Sequence, residues 1–280
     1  MTHSDRPKAL IIRTAGTNCD AELCRAFELA GAQAELVHLS ALVADPSRID
    51  AYQLIGFPGG FSHGDDIGAG RVMAMKIRER LYPALAEAAR RGVAMIGVCN
   101  GFQVLTQTGL LPGPRPGEDW PDQPAPNAVT LADNSSGRFV DTWVGVQANP
   151  DSPCVWTAHL RDEKPNPDLH QLPVAHGEGR FVAPTPEIIA ALEAGGQAAL
   201  YYSRDINGSL GGPDSLGGIA GICDATGRIF GLMPHPERFL SWRHHPFATR
   251  LPSSAREGDT PGLGFFRSAV EAVTGSVATA

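Results

Sequence analysis

The first half of the chain alternates short apolar runs with amphipathic segments, and this alternation constrains the fold more than any other feature. We predict strands at ALIIR, AELVHL, YQLIGF and VAMIGV, with helices over 18–30, 71–91 and 100–108. A strand, a helix and a second strand in succession form a crossover unit that places the two strands parallel. The sequence therefore predicts an α/β fold with an open, mostly parallel sheet flanked by helices.

The second half departs from this pattern. Short alternating runs, GRFVDTWVGV and PCVWTAHL, predict an antiparallel hairpin insertion. The parallel sheet is expected to resume with QAALYY, GGIAGICD and GRIFGLM, before a last helix over 264–273. The stretch 113–127 is rich in Pro and Gly and is predicted to be a surface loop. Because no flexible linker separates the halves, we expect a single domain over 8–274.

Charge and cysteine usage exclude several classes of function. The net charge is −7 with acidic and basic residues interspersed, so no basic patch indicates a nucleic-acid partner. No apolar run reaches the roughly 20 residues of a membrane span, and the N-terminus lacks signal-peptide features, so we expect a cytoplasmic protein. Five scattered cysteines without a CxxC pair fit neither a disulfide framework nor a zinc site. Adjacent His244 and His245 have no further ligand at useful spacing, so no metal is predicted.

The segment GVCNG places Cys99 between two glycines, where a predicted strand meets a predicted helix. This is the context of a nucleophile elbow, with cysteine in place of serine. The partial positive charge of the helix N-terminus favours a thiolate there. The alternative is a small structural residue between strand and helix. The two glycines favour the nucleophile.

Two other segments could complete such a site. In GLMPHPERF, His235 and Glu237 lie two residues apart after an apolar strand, so an extended chain would turn them to the same side as base and orienting acid. A solvated surface pair is the alternative. In PGGFSHGD, Gly60 could bring a backbone N–H close to substrate, and Asn100 would supply the second N–H of an oxyanion hole. An ordinary Gly-rich turn remains the alternative for that loop.

These segments, in the chain order PGGFSHGD, GVCNGFQ, MPHPER, resemble the class I (triad) glutamine amidotransferases. The segments NSSGRFV, PVAHGEGRF and IAGICD make the sequence similar, within that family, to the glutaminase subunits of phosphoribosylformylglycinamidine synthases. The resemblance extends from Lys8 to Val273 and implies a flavodoxin-like sheet forming a single amidotransferase domain.

The resemblance implies that glutamine is hydrolysed to glutamate and ammonia through a thioester. The ammonia would pass to a synthetase that converts formylglycinamide ribonucleotide to formylglycinamidine ribonucleotide in purine biosynthesis. By motif matching, Cys99 is the nucleophile, His235 the base and Glu237 the orienting acid, and the oxyanion hole is formed by Gly60 and Asn100. The same matching assigns the glutamine contacts to Gly59, Phe61, Gln103, Arg138, His176, Gly177 and Glu178.

The resemblance also implies partners. They are a synthetase that binds the ribonucleotide and ATP with Mg²⁺, and a small bridging subunit. No phosphate loop or dinucleotide fingerprint is present, so no cofactor is expected on this chain. Two alternatives remain: a cysteine hydrolase of another γ-glutamyl or acyl substrate, and an inactive regulatory subunit with the same fold.

Overall fold

A computed structural model describes residues 6–161, 164 and 166–277 of the chain. It contains eleven strands, which are β1 (Lys8–Arg13), β2 (Gln33–His38), β3 (Leu54–Phe57), β4 (Ala94–Val98), β5 (Thr130–Ala132), β6 (Val140–Ala148), β7 (Gln171–His176), β8 (Arg180–Val182), β9 (Ala198–Tyr202), β10 (Ile219–Cys223) and β11 (Ile229–Leu232). The α-helices of this part of the chain are α1 (Asp20–Ala30), α2 (Leu39–Ala44), α3 (Arg71–Arg80), α4 (Tyr82–Arg90), α5 (Asn100–Thr108), α6 (Ala158–Arg161), α7 (Pro186–Ala194) and α8 (Pro261–Val277).

Nine strands form one sheet in the order β2-β1-β3-β4-β11-β10-β9-β6-β7, while β5 and β8 form a separate antiparallel ribbon. The pairings from β2 through β4 to β11 are parallel, and those from β11 to β7 are antiparallel. The predicted class, an open α/β sheet with an antiparallel addition, is confirmed. Strands β3, β4, β9, β10 and β11 are buried along their whole length, as expected where both faces of a sheet are covered.

Helices cover both faces of the parallel half. Gly56 of β3 faces α1, because a Cβ built on it would lie 2.8 Å from Leu23 Cδ2. The next residue, Phe57, faces α5, since a Cβ on Gly101 would fall 2.9 Å from the Phe57 Cβ. Successive strand residues point to opposite faces, so α1 and α5 lie on opposite sides of the sheet.

The late strands correct one prediction. QAALYY and GGIAGICD were expected to run parallel to the first strands, yet β9 and β10 pair antiparallel with each other, and β10 pairs antiparallel with β11. Only residues 224–228 connect β10 to β11, whereas a parallel neighbour needs a crossover of about a dozen residues or more. The parallel prediction therefore holds for β11 alone.

Two further predictions were wrong. PCVWTAHL is not a strand: it forms turns and α6, and Trp156 packs edge-on against Phe27 with ring centroids 6.2 Å apart. The hairpin partner of β6 is instead β7, and the other edge of β6 pairs with β9. The helix predicted over 71–91 is two helices that break at Leu81 (φ −122°, ψ −13°), and Pro83 lies in the first turn of α4. Proline lacks the N–H that would continue the earlier helix, which explains the break.

Residues 113–127 contain no helix or strand. The last helix is longer than predicted, since it begins at Pro261. Among the described residues, no helix has both the length and the apolar character that a bilayer span requires.

Candidate active site

Cys99 lies at a strained turn between β4 and α5. Its backbone adopts φ 51° and ψ −107°, a conformation that residues other than glycine rarely adopt and that concentrates at functional sites. Both flanking glycines are needed for close approach: a Cβ on Gly97 would lie 2.6 Å from the Gly101 carbonyl oxygen, and Gly101 itself abuts β3. The turn thus fixes the Cys99 side chain above the N-terminus of α5, where it is 6% exposed.

His235 and Glu237 follow β11, the strand next to β4. The two strands are in register with Val98 opposite Leu232, and the Cys99 N–H donates to the Leu232 carbonyl at 2.8 Å. Nδ1 of His235 lies 2.6 Å from Oε1 of Glu237, and both side chains are buried. The pair forms within a 3₁₀ turn over Pro236–Arg238 and not along an extended strand, which corrects the geometry assumed from the sequence.

The electrostatics of this pair favour a charged imidazole. Burial disfavours the imidazolium, but the Glu237 carboxylate and the Cys99 sulfur outweigh it and raise the pKa of His235 well above its usual range. Nε2 of His235 is buried and makes no hydrogen bond to any described residue. With Nδ1 engaged by Glu237, Nε2 is the nitrogen left to exchange a proton with a reacting group.

Gly59 is surrounded by three reactive side chains. A Cβ built on it would lie 2.8 Å from His235 Cε1, 3.2 Å from Cys19 Sγ and 3.5 Å from Cys99 Cβ. The missing side chain at Gly59 therefore leaves the space in which the thiol and the imidazole come together.

Gly60 and Asn100 flank this space. Gly60 has φ +135°, and a Cβ there would lie 2.7 Å from the Asn18 nitrogen, so only glycine fits without strain. The Asn100 side chain accepts from the Ser62 N–H at 3.1 Å and donates to Asp65 Oδ1 at 3.2 Å. It thereby ties the glycine loop to the start of α5, which holds the two backbone segments of the predicted oxyanion hole in fixed relation.

Gln103 is buried, and both polar atoms of its side-chain amide make hydrogen bonds within the chain. Its Nε2 donates to the Glu178 carbonyl at 2.6 Å, and its Oε1 accepts from Asn100 Nδ2 at 3.0 Å. The Glu178 carboxylate accepts from the Ala69 N–H at 3.4 Å. A cavity of about 540 Å³ reaches Glu178 and Arg71, but no residue of the predicted triad lines it.

His176 belongs to a buried polar network. Its Nδ1 donates to Asn134 Oδ1 at 3.0 Å, and Asn134 Nδ2 donates to the carbonyl oxygens of Arg138 and His176 at 2.9 and 2.8 Å. The carbonyl of the preceding residue, Ala175, accepts from Cys99 Sγ at 3.7 Å, which brings this segment next to Cys99. The structure thus brings together the segments that carry the predicted glutamine contacts.

Phe61 and Phe139 form an exposed aromatic pair near this network. The residues are 47% and 54% exposed, and the ring centroids lie 6.5 Å apart with an angle of 29° between the planes. Phe139 lies against Gly177, whose Cβ would be 3.7 Å from Cδ2 of the ring. Arg138 lies on the exposed loop before β6. Phe61 and Arg138 are therefore at the exposed side of the site, away from the buried Cys99.

Sequence reasoning missed Cys19 and Asn134. Cys19 lies just after β1, whose carboxyl end faces the same sheet edge as β4, and that position was the available signal. Cys19, His235 and Glu237 each place a potential metal ligand atom within 4.8 Å of the others. Nδ1 of His235 is already bonded to Glu237, and the Arg238 guanidinium lies 3.0 Å from the Cys19 sulfur. A cation beside that sulfur opposes a metal ion, so the cluster suits an acid–base pair better.

The fold and the site together define a glutamine amidotransferase of the class I type. Residues 6–273 match the family described as CobB/CobQ-like glutamine amidotransferase domain. A Thermotoga maritima structure described as a glutamine amidotransferase shares the fold, at a TM-score of 0.50 and 14% identity over 96% of this chain and 98% of that chain.

Relatives of higher sequence identity identify the family within this class. The PurQ subunits of phosphoribosylformylglycinamidine synthase from Dehalococcoides mccartyi and Archaeoglobus fulgidus are 43% and 35% identical, over 94% of this chain and 96% of each relative. One chain of the structure of PurLQS from Thermotoga maritima is 32% identical at a TM-score of 0.67, covering 95% of this chain and 99% of that one. The chain belongs to the PurQ family, which confirms the resemblance inferred from the sequence.

The buried state of His176 predicts a pH-dependent stability. Burial, with the charge of His235 adding to it, lowers the pKa of His176 from 6.5 to about 4. The unfolded chain takes up this proton below about pH 6.5 and the folded chain only near pH 4, so the free energy of unfolding falls as pH falls through this window. The contribution is about 2 kcal/mol between about pH 7 and about pH 4.5.

His176→Asn retains a donor toward Asn134 but removes this titration. Urea unfolding of both proteins at these two pH values should show a fall about 2 kcal/mol smaller in the variant. An equal fall in both proteins would contradict the assignment.

Proposed function

We propose that the chain hydrolyses glutamine through a thioester on Cys99 and supplies the ammonia to a synthetase that converts formylglycinamide ribonucleotide to formylglycinamidine ribonucleotide. The observation that carries this proposal is the convergence of a strained cysteine turn and a buried His235–Glu237 pair on the space left open at Gly59. A regulatory subunit without activity would have no need of this backbone strain.

The first half of the reaction forms the thioester. The proton of Cys99 passes to Nε2 of His235, which forms the charged imidazole that Glu237 stabilises, and the sulfur then attacks the γ-carbonyl carbon of glutamine. Backbone N–H groups of Gly60 and Asn100 stabilise the oxyanion that forms on the carbonyl oxygen. The imidazolium then gives its proton to the amide nitrogen, the C–N bond breaks and ammonia leaves.

The second half regenerates the thiol. His235 takes a proton from water, the hydroxide oxygen attacks the thioester carbon, and the C–S bond breaks to release glutamate. The proton returns to the Cys99 sulfur. Glu237 holds Nδ1–H throughout, which keeps Nε2 available and stabilises the imidazolium in both halves.

Glutamine is held beside this centre by the segments that meet there. We assign contacts to Gly59, Phe61, Gly177 and Glu178 and to the side chains of Arg138 and His176. Nε2 of buried His176 has no hydrogen-bond partner in the described part of the chain, which supports a polar contact with substrate. Gln103 contributes mainly by holding the Glu178 carbonyl, since both ends of its amide are already bonded.

The partners follow from the family. The PurLQS structure of a relative supports a complex with a synthetase and a small bridging subunit. The thiol, imidazole and carboxylate suffice for amide hydrolysis, so we assign ATP and Mg²⁺ to the synthetase and no cofactor to this chain. We place the reaction in the cytoplasm, and the five free cysteines support a reducing compartment.

Labelling with a diazoketone analogue of glutamine tests the proposal. Incubation of the reconstituted complex, followed by intact-mass and peptide mapping, should give one adduct on Cys99 that excess glutamine suppresses. The analogue places its electrophilic carbon where the thiolate attacks the amide. An adduct on Cys24 or another thiol that glutamine does not suppress would contradict the proposal, as would a lack of labelling in a complex that makes product from ammonia.

A further inference from the structure

Cys19 is a second buried thiol beside the proposed catalytic pair. It directly precedes α1, is 1% exposed, and its backbone N–H donates to the Gly59 carbonyl at 3.2 Å. Its position is therefore fixed to the same glycine that lies against Cys99 and His235.

The Cys19 sulfur has three polar neighbours. The S–H donates to Asn18 Oδ1 at 3.1 Å, and the sulfur accepts from the Arg238 guanidinium at 3.0 Å. Nδ1 of His235 lies 3.9 Å away, on the side of its hydrogen bond to Glu237. Burial, against the opposing effect of His235, raises the pKa of Cys19, so the group is a neutral thiol at neutral pH.

The hydrogen bond between Arg238 and the Cys19 sulfur keeps the guanidinium occupied beside the carboxylate of Glu237. Arg238 is adjacent in sequence to Glu237, whose Oε2 is buried without a partner among the residues that the structure describes. Guanidinium and carboxylate groups form strong paired hydrogen bonds when they meet. Arg238 instead donates from Nη2 to the Cys19 sulfur, and its Nε lies 3.9 Å from Glu22 Oε1.

We propose that Cys19 is a positioning residue whose sulfur holds the Arg238 guanidinium away from Glu237, so that the carboxylate remains paired with His235. This inference rests on the proposed roles of His235 and Glu237. Without the sulfur, Arg238 turns to Glu237 and competes for the oxygen that orients the imidazole. The proton transfers of both half-reactions then slow, while glutamine binding is unchanged.

Cys19→Ala should therefore lower kcat for glutamine-dependent synthesis by the reconstituted complex by about tenfold to a hundredfold, with little change in the KM for glutamine. Ammonia-dependent synthesis by the same preparation should be unchanged, because it bypasses this site. Cys19→Ser, which retains an acceptor for Arg238, should recover most of the activity. Cys24→Ala, a partly buried thiol of α1 away from the site, is the matched control.

A double-mutant cycle separates this role from packing. In a chain that already carries Arg238→Gln, Cys19→Ala should lower kcat for glutamine-dependent synthesis by less than about threefold, because no cation is left to compete for Glu237. The inference would be overturned if Cys19→Ala lowered kcat by the same factor with and without Arg238. Full activity of Cys19→Ala would also overturn it, as would an equal loss of the ammonia-dependent synthesis. Failure of the unaltered complex to use glutamine would instead overturn the proposed function, so the two failures are distinguishable.

Discussion

Replacing Cys99 by alanine is expected to abolish glutamine-dependent synthesis by the complex, with a loss in kcat of about 10⁴-fold or more. Alanine tolerates the strained turn as well as cysteine does, but it offers no nucleophile to form the thioester. Ammonium chloride should still support synthesis at the unaltered rate, since the synthetase would take up ammonia directly. Product formation is measured with glutamine and with ammonium chloride as alternative nitrogen sources.

Cys24→Ala is the control for this experiment, because it removes a partly buried thiol outside the site. Its activity with glutamine should match that of the unaltered chain. Glutamine-dependent activity retained by Cys99→Ala would eliminate the thioester mechanism. Loss of the ammonia-dependent activity as well would indicate that the substitution had damaged the complex instead of the chemistry.

The second large effect is expected from Gly59→Ala. The added Cβ would lie 2.8 Å from His235 Cε1, closer than real Cβ contacts, so the imidazole must move. A displacement of about 1 Å in a catalytic group lowers the reaction rate by about 100-fold. We therefore expect kcat/KM for glutamine to fall by at least about that factor. Labelling of Cys99 by the diazoketone should slow in parallel, because the same imidazole assists attack.

Gly275→Ala provides the matched control, since a Cβ at that position meets no heavy atom within 4 Å. It should leave both kcat/KM and labelling unchanged. Wild-type kinetics in Gly59→Ala would show that the imidazole is not confined as the structure has it.

The parts of the site that the sequence predicted are those set by local chemistry. The glycine spacing around Cys99 is required by the turn itself, because Gly97 and Gly101 leave no room for a Cβ. The break in the helix predicted over 71–91 was also local, and Pro83 was the signal for it.

Features that depend on distant pairing were not predicted. Whether β9 and β10 run parallel or antiparallel depends on which strands they meet, and the apolar pattern is the same in either case. The contact of Cys19 with His235 joins residues 216 positions apart, so no local spacing could indicate it. Motif matching identified Gln103, but only the structure shows that its amide is already bonded by its neighbours.

The pairing of β4 with β11 links catalytic competence to the order in which the chain is made. Cys99 and His235 follow neighbouring strands in register, yet 136 positions of sequence separate them. A growing chain on the ribosome thus carries the proposed nucleophile long before the proposed base. By the proposed mechanism, a chain in which β11 has not yet paired with β4 has a thiol without its base and releases no ammonia, so only a subunit with these two strands paired hydrolyses glutamine.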